Sequence, residues 1–178
     1  MALFGLFVFL AQFIGKNNRC LHKKLGYSSV VVVAGMLLTG FMMATHAYSR
    51  GISPILNMTV QQFLAFPVID LLGLSLFFGF AVLKRNKPIV HKHCILLAYI
   101  VIVDPAIARL AFVLEFPPAA LLIHSALVGL VIIHDRRTYG KVHPVIWIGL
   151  GWVFLRVTFI LSIGVSDGWA TMMNVFFS

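Results

Sequence analysis

Four ionisable side chains interrupt otherwise apolar stretches of this sequence: Asp70, Asp104, Arg109 and Arg156. In hydrocarbon each such charge costs ~2.5–3.5 kcal/mol on insertion scales, so these residues turn to a bundle interior and find partners. Two negatives against two positives favour interhelical ion pairs. The same residue types carry proton relays and solute pathways in membrane proteins. Asp104 and Arg109 are five apart, roughly 140° around a helix, and make poor partners for each other. The expected pairs are Asp70 with Arg109 or Arg156, and Asp104 with Arg156. Pro105 removes one helical hydrogen bond and clashes with the carbonyl of Val101, which kinks the chain beside Asp104. A kink next to buried charge opens a water-lined path or a substrate site; the alternative is a salt-bridge network that only fixes helix order.

Seven histidines support two further chemistries. Imidazoles from different helices at one depth can ligate a b-type haem. His46 with His124 meets the depth condition, and His93 with His134 offers an inner pair. The two histidines of one stretch, His124 and His134, lie about 15 Å apart along a helix, tight for two haems. The second chemistry gathers His22, His91, Asp135 and His143 at the ends of four stretches. Imidazoles with one carboxylate suit a first-row metal ion, and with basic neighbours they suit a phosphate or lipid headgroup.

These residues need long helices to position them, and the composition supplies them. The chain has 178 residues, 61% hydrophobic and only 11% charged, where soluble domains run about 45–50% apolar and about 25% charged. A span takes ~20 residues, and six apolar stretches are expected: 1–15, 28–48, 61–83, 89–114, 118–134 and 144–165. The bundle is all-α and polytopic, one domain over residues 1–165. Residues 166–178 are too short to cross; Trp169, Met172, Met173 and Phe176 recur at helical spacing, which reads as an interfacial tail. Asp70 falls nine residues from one end of its stretch and Asp104 ten from the same side, while Arg156 is twelve in from the opposite end. All three therefore share a depth near the midplane.

The net charge of +9 has a topological explanation. Lys16, Arg19, Lys23, Lys24, Lys84, Arg85, Lys87, Lys92, Arg136, Arg137 and Lys141 all fall on one side, against Arg50 in the opposite loops. Basic short loops mark the cytoplasmic side, so both termini are expected outside. Anionic headgroups are the matching partner, and nucleic acid is not needed. Cys20 and Cys94 fall on the reducing side, where a disulfide is not expected. Asn57-Met58-Thr59 fits a glycosylation pattern by chance; Gly35, Gly40, Gly73 and Gly79 are read as helix-packing positions. No internal repeat is apparent. Among enzyme signatures, Gly-x-Ser-x-Gly, His-Glu-x-x-His and the phosphate loop are all missing, and Glu115 is the single glutamate.

Short motifs carry a resemblance. They are His22-Lys23-Lys24-Leu25-Gly26, Pro88-Ile89-Val90-His91-Lys92, Asp104-Pro105-Ala106-Ile107-Ala108-Arg109, Asp135 through Thr138 with Gly140, His143 and Pro144, then Leu155-Arg156 and Trp169. From residue 20 onward the chain resembles a family of uncharacterised bacterial multi-pass membrane proteins. The resemblance implies the cytoplasmic membrane of a bacterium and points to His22, His91, Asp135, His143, Arg109 and Arg156. His46, His93, His124 and His134 stand outside it. Three expectations follow: a cytoplasmic-face His/Asp site for a metal ion or anion, linked to the charged core and handling protons or a small solute; a haem b electron carrier; or an accessory subunit of a larger membrane complex or homo-oligomer.

Overall fold

The computed structural model describes residues 19–51, 58–116 and 118–177. Within them the chain folds into helices α1 (Arg19–Arg50), α2 (Val60–Leu83), α3 (Pro88–Val113), α4 (Pro118–Tyr139), α5 (Pro144–Ser162) and α6 (Asp167–Phe177). The first five are long and apolar enough to cross a membrane, and the fold is a polytopic helical bundle. The stretch expected over Met1 to Gly15 lies outside the described residues, as does Asn57. Thr59, the third residue of that glycosylation pattern, instead caps α2. Its hydroxyl accepts the Gln62 N–H at 3.3 Å, and the Gln62 side chain accepts the Thr59 N–H at 3.0 Å. That reciprocal pair satisfies two backbone donors the helix start would leave open.

Prolines open α3, α4 and α5, where the missing N–H costs nothing. Within the bundle α3 is central, packing on α2 most extensively and also on α4 and α5. The core contains Leu74, Phe77, Leu97, Ile100, Val101, Val128, Ile146 and Val153. Leu38, Phe80, Leu130 and Phe154 are exposed, which is the arrangement lipid, an apolar solvent, permits. Small residues set the closest approaches. A Cβ on Gly73 would meet the Trp152 ring at 2.7 Å, and one on Gly149 would collide with the Leu97 side chain. Gly35 and Gly79 face open space, so of the four expected packing glycines only Gly40 and Gly73 approach a neighbour. Cys20 and Cys94 are not joined in a disulfide.

Residues 167–177 form a helix that folds onto the ends of α1 and α2. Trp169 and Met173 are buried with Ala44, Leu64 and Ala65. The Trp169 indole N–H donates to the Gln61 carbonyl at 2.7 Å. Phe177 stacks on Tyr48, whose hydroxyl donates to Asn174 at 3.0 Å. One face of the expected tail is therefore packed, while Met172 and Phe176 remain exposed.

Candidate functional site: two buried histidine–aspartate networks

Asp70, Asp104, His124 and Arg156 meet at one depth, one from each of α2, α3, α4 and α5. The Arg156 Nε donates to Asp70 Oδ1 at 2.7 Å, and its terminal nitrogen donates to Asp104 Oδ2. The other Asp104 oxygen lies 3.1 Å from His124 Nδ1. Asp70, Asp104 and His124 are buried, and Arg156 is nearly so. Breaking one partner of such a set strands a charge without water, so the network also fixes which helices neighbour which.

The His124 ring is surrounded by acceptors. Nδ1 faces the Asp104 carboxylate and the Ala120 carbonyl at 3.3 Å, while Nε2 faces the Ile100 carbonyl at 3.2 Å. Making both bonds takes two N–H groups, which only the imidazolium has. In that form two carboxylates, one guanidinium and one imidazolium would sum to zero. Pro105, lying within α3, bears on this arrangement. It leaves the Val101 carbonyl without its helical donor, and the adjacent Ile100 carbonyl is the one His124 engages.

A second network occupies the basic end of the same two helices. His93 Nε2 lies 2.9 Å from both Asp135 oxygens, and its Nδ1 donates to the Ile89 carbonyl at 2.7 Å. This ring, too, faces acceptors on both sides. Asp135 is 1% exposed and also accepts the His143 backbone N–H at 3.1 Å. Gly140, at φ +71°, ends α4 and turns the chain toward that contact. A left-handed residue there costs little only for glycine. His143 stacks on His93 with centroids 5.1 Å apart, and its Nδ1 caps α5 by accepting the Val145 N–H at 3.3 Å. Burial first, then the charges of His93 and Lys141, hold the His143 imidazole below its ordinary value against the pull of Asp135. His134 Nδ1 lies 3.8 Å from Asp135, and its side chain is 54% exposed.

Several expected groupings do not form. Arg109 is exposed and, among the described residues, makes no ion pair. It projects about 140° away from Asp104 around α3, so Arg156 alone serves both aspartates. His22, His91, Asp135 and His143 do not converge. His91 Nδ1 donates to the Ala81 carbonyl of α2 at 2.7 Å, with the His22 ring edge-on to it at 6.4 Å, whereas Asp135 and His143 belong with His93. Among the described residues no group of three or more His, Cys, Asp or Glu has a metal-binding arrangement.

The haem pairs fail for a related reason. His46 is exposed in an open groove of about 680 Å³ beside Phe41, Tyr48 and Phe177, while His124 is buried with both nitrogens engaged. His93 likewise has both nitrogens engaged, and His134 opens to the surroundings. Neither pair presents two nitrogens to a common iron.

The pairs that do form follow one rule the sequence reading missed. His93 precedes Asp104 by eleven residues on α3, and His124 precedes Asp135 by eleven on α4. Eleven residues are about three helical turns, so each pair shares a face. Because the helices run antiparallel, one register brings His93 to Asp135 and Asp104 to His124. The His-x10-Asp recurrence is only two residues long, but it is visible in the sequence. No protein-family model, curated protein or solved structure matches the chain.

Proposed function

We propose that this chain is a small integral membrane protein that takes up and releases a proton at Asp104 and His124, with Arg156 and Asp70 holding that pair in the bilayer core. The observation that carries the reading is the acceptor-only surroundings of His124. With the ring doubly protonated the four-residue network is neutral; with one proton gone it carries a net negative charge in a low-dielectric setting. One proton thus decides the charge of a site that four helices share, and helix packing is coupled to its arrival. The proline within α3 frees the Val101 carbonyl, next along the chain from the Ile100 carbonyl that His124 engages through Nε2. The basic loops put the His93 end of the bundle in the cytoplasm.

Proton flux tests the reading. Purified protein is reconstituted into vesicles holding a pH-sensitive dye, with the membrane potential clamped by a potassium ionophore. An imposed pH gradient is expected to collapse faster than in protein-free vesicles. Asp104→Asn and His124→Gln are expected to slow that collapse about a hundredfold, within the range positioned acid–base groups contribute. Wild-type vesicles as tight as protein-free ones would sink the idea.

A further inference from the structure

The basic-end network repeats the chemistry of the midplane one and differs in access. Both are histidine–aspartate pairs between α3 and α4 in one register, about 16 Å apart along the helices. At the basic end a half-exposed imidazole, His134, stands 3.8 Å from the buried Asp135. Between the networks the seam is apolar, formed by Leu97, Val101 and Val128. One polar atom interrupts this region. Among the described residues, the Trp152 indole nitrogen is the buried side-chain polar atom without a hydrogen-bond partner. Trp152 lies one turn from Arg156 on the basic-end side, and its ring sits against Gly73, one turn from Asp70. A buried donor left open in a native fold calls for a reason.

We infer that His93, Asp135 and His143 form a second proton-exchange station, fed through His134, from which the midplane pair is loaded. The inference rests on the proton-handling reading of the midplane network. In the first step a protonated His134 gives its Nδ1 proton to Asp135 Oδ1, leaving neutral His134 and a carboxylic acid. Asp135 then passes a proton to Nε2 of a neutral His93, which keeps its Nδ1 proton on the Ile89 carbonyl. The result is the imidazolium–carboxylate pair, and one proton has moved from His134 to His93 with total charge unchanged.

Other titratable and charged groups nearby have defined parts. His143 faces the pair from the α4–α5 loop, where the exposed Lys141 acts on His143, and Lys92 and His91 lie on α3 itself. His91 is committed to the Ala81 carbonyl, with His22 of α1 against it. Arg136 follows Asp135 on α4 and is exposed. His143 stays neutral while it caps α5, because its Nδ1 lone pair is in use. It stacks on His93 without competing for the proton. The open Trp152 N–H, which faces Gly73 of α2, supplies a donor for a water between α2 and α5, one turn short of Asp70 and Arg156 on the onward route.

Two measurements separate this inference from the reading beneath it. In the dye-loaded vesicles, His93→Ala is expected to slow flux about tenfold, with imidazole on the basic side restoring it and imidazole on the other side failing to do so. His134→Gln, a change at an exposed position, should slow flux several-fold at low buffer, and Trp152→Phe should slow it while still giving folded, monodisperse protein. Flux lost in Asp104→Asn but unchanged in His93→Ala, His134→Gln and Trp152→Phe overturns the loading role and leaves the midplane reading standing. The second measurement is pH-dependent infrared difference spectroscopy of the purified full chain. A titrating carboxylate band that persists in Asp104→Asn and vanishes in Asp135→Asn supports the station even if no flux is seen. A spectrum that Asp135→Asn leaves unchanged overturns it.

Discussion

The midplane and basic-end networks use one pair of residue types on the same two helices, and they differ in what else touches them. At the midplane Asp104 shares Arg156 with Asp70, so α2 and α5 are tied into the set. At the basic end, among the described residues, Asp135 has no cationic partner from α2. It holds instead the backbone of the loop that starts α5 and stands near an exposed imidazole. Identical pair chemistry thus ties four helices together at the midplane, and at the basic end, where a loop closes the bundle, it stands beside an exposed imidazole that would make it, as proposed, an exchange point. The difference lies in the third and fourth partners. Changes at the midplane should therefore act first on the fold, and changes at the basic end first on protonation.

Arg156→Ala tests the midplane half most severely. It leaves two buried carboxylates facing one imidazole, and removing one partner of a buried ion pair costs about 3–5 kcal/mol. The expected outcome is loss of monodisperse protein in detergent, or a large drop in melting temperature read by tryptophan fluorescence. The triple variant Asp70→Leu, Asp104→Leu, Arg156→Met should recover most of that stability, because well-packed apolar residues replace a buried ion set with little loss. It should carry no proton flux. A triple variant as unstable as Arg156→Ala would mean that the ions do more than pair with one another.

Asp135→Asn should cost less, about 1–3 kcal/mol. The asparagine oxygen still accepts the His143 N–H, and its amide N–H donates to Nε2 of a neutral His93 that keeps its Nδ1 proton on the Ile89 carbonyl, so at most one amide N–H is left to find a partner. The comparison fails if this substitution destabilises the protein as much as Arg156→Ala does, since the basic end would then tie the helices together as well. Thermal melts of the two variants side by side decide it.

The pH response of His143 is smaller. Its imidazole is held below the ordinary value in the folded protein, so the unfolded chain binds this proton more readily. The stability it contributes is present above about pH 6.5 and is lost as pH falls from there toward the folded value. Melting temperature should therefore drop modestly on acidification through that window. His143→Asn keeps a good helix cap and removes the titration, so its melting temperature should vary less with pH. An unchanged acid slope in that variant would assign the effect to other groups.

The spans, their polar breaks and the shared depth of Asp70, Asp104 and Arg156 were legible because a bilayer imposes length and hydropathy on a sequence. Partner choice was legible only in part. Arg156 was expected beside either aspartate, and geometry gives it both, since a guanidinium has donors enough to fork. For the histidines, depth alone does not select the partner. His46 and His124 match in depth but not in facing, and His93 was set beside His134 rather than Asp135. Which way a helix faces depends on its neighbours' packing, here on the approaches at Gly73 and Gly149, and that is encoded in contacts between helices rather than within one. The eleven-residue spacing was the one local sign of facing that the chain carried.

The smallest expected effect belongs to Arg109 and His46. Each lies in or near a span, and each was a candidate on sequence grounds. Both are exposed, and among the described residues neither joins one of the two networks. Arg109 is exposed and stands four residues from the end of α3, a position from which a long basic side chain can reach the interface. Its charge is then solvated or met by headgroups, and Arg109→Ala should change stability by no more than about 0.5 kcal/mol. His46→Ala should do the same, and proton flux should hold at the wild-type rate in both. The pair sharpens the comparison because Arg109 and Arg156 carry the same charge and differ in facing and depth. A collapse of Arg109→Ala matching that of Arg156→Ala would show that intramembrane charge itself, and not the four-helix convergence, governs this fold.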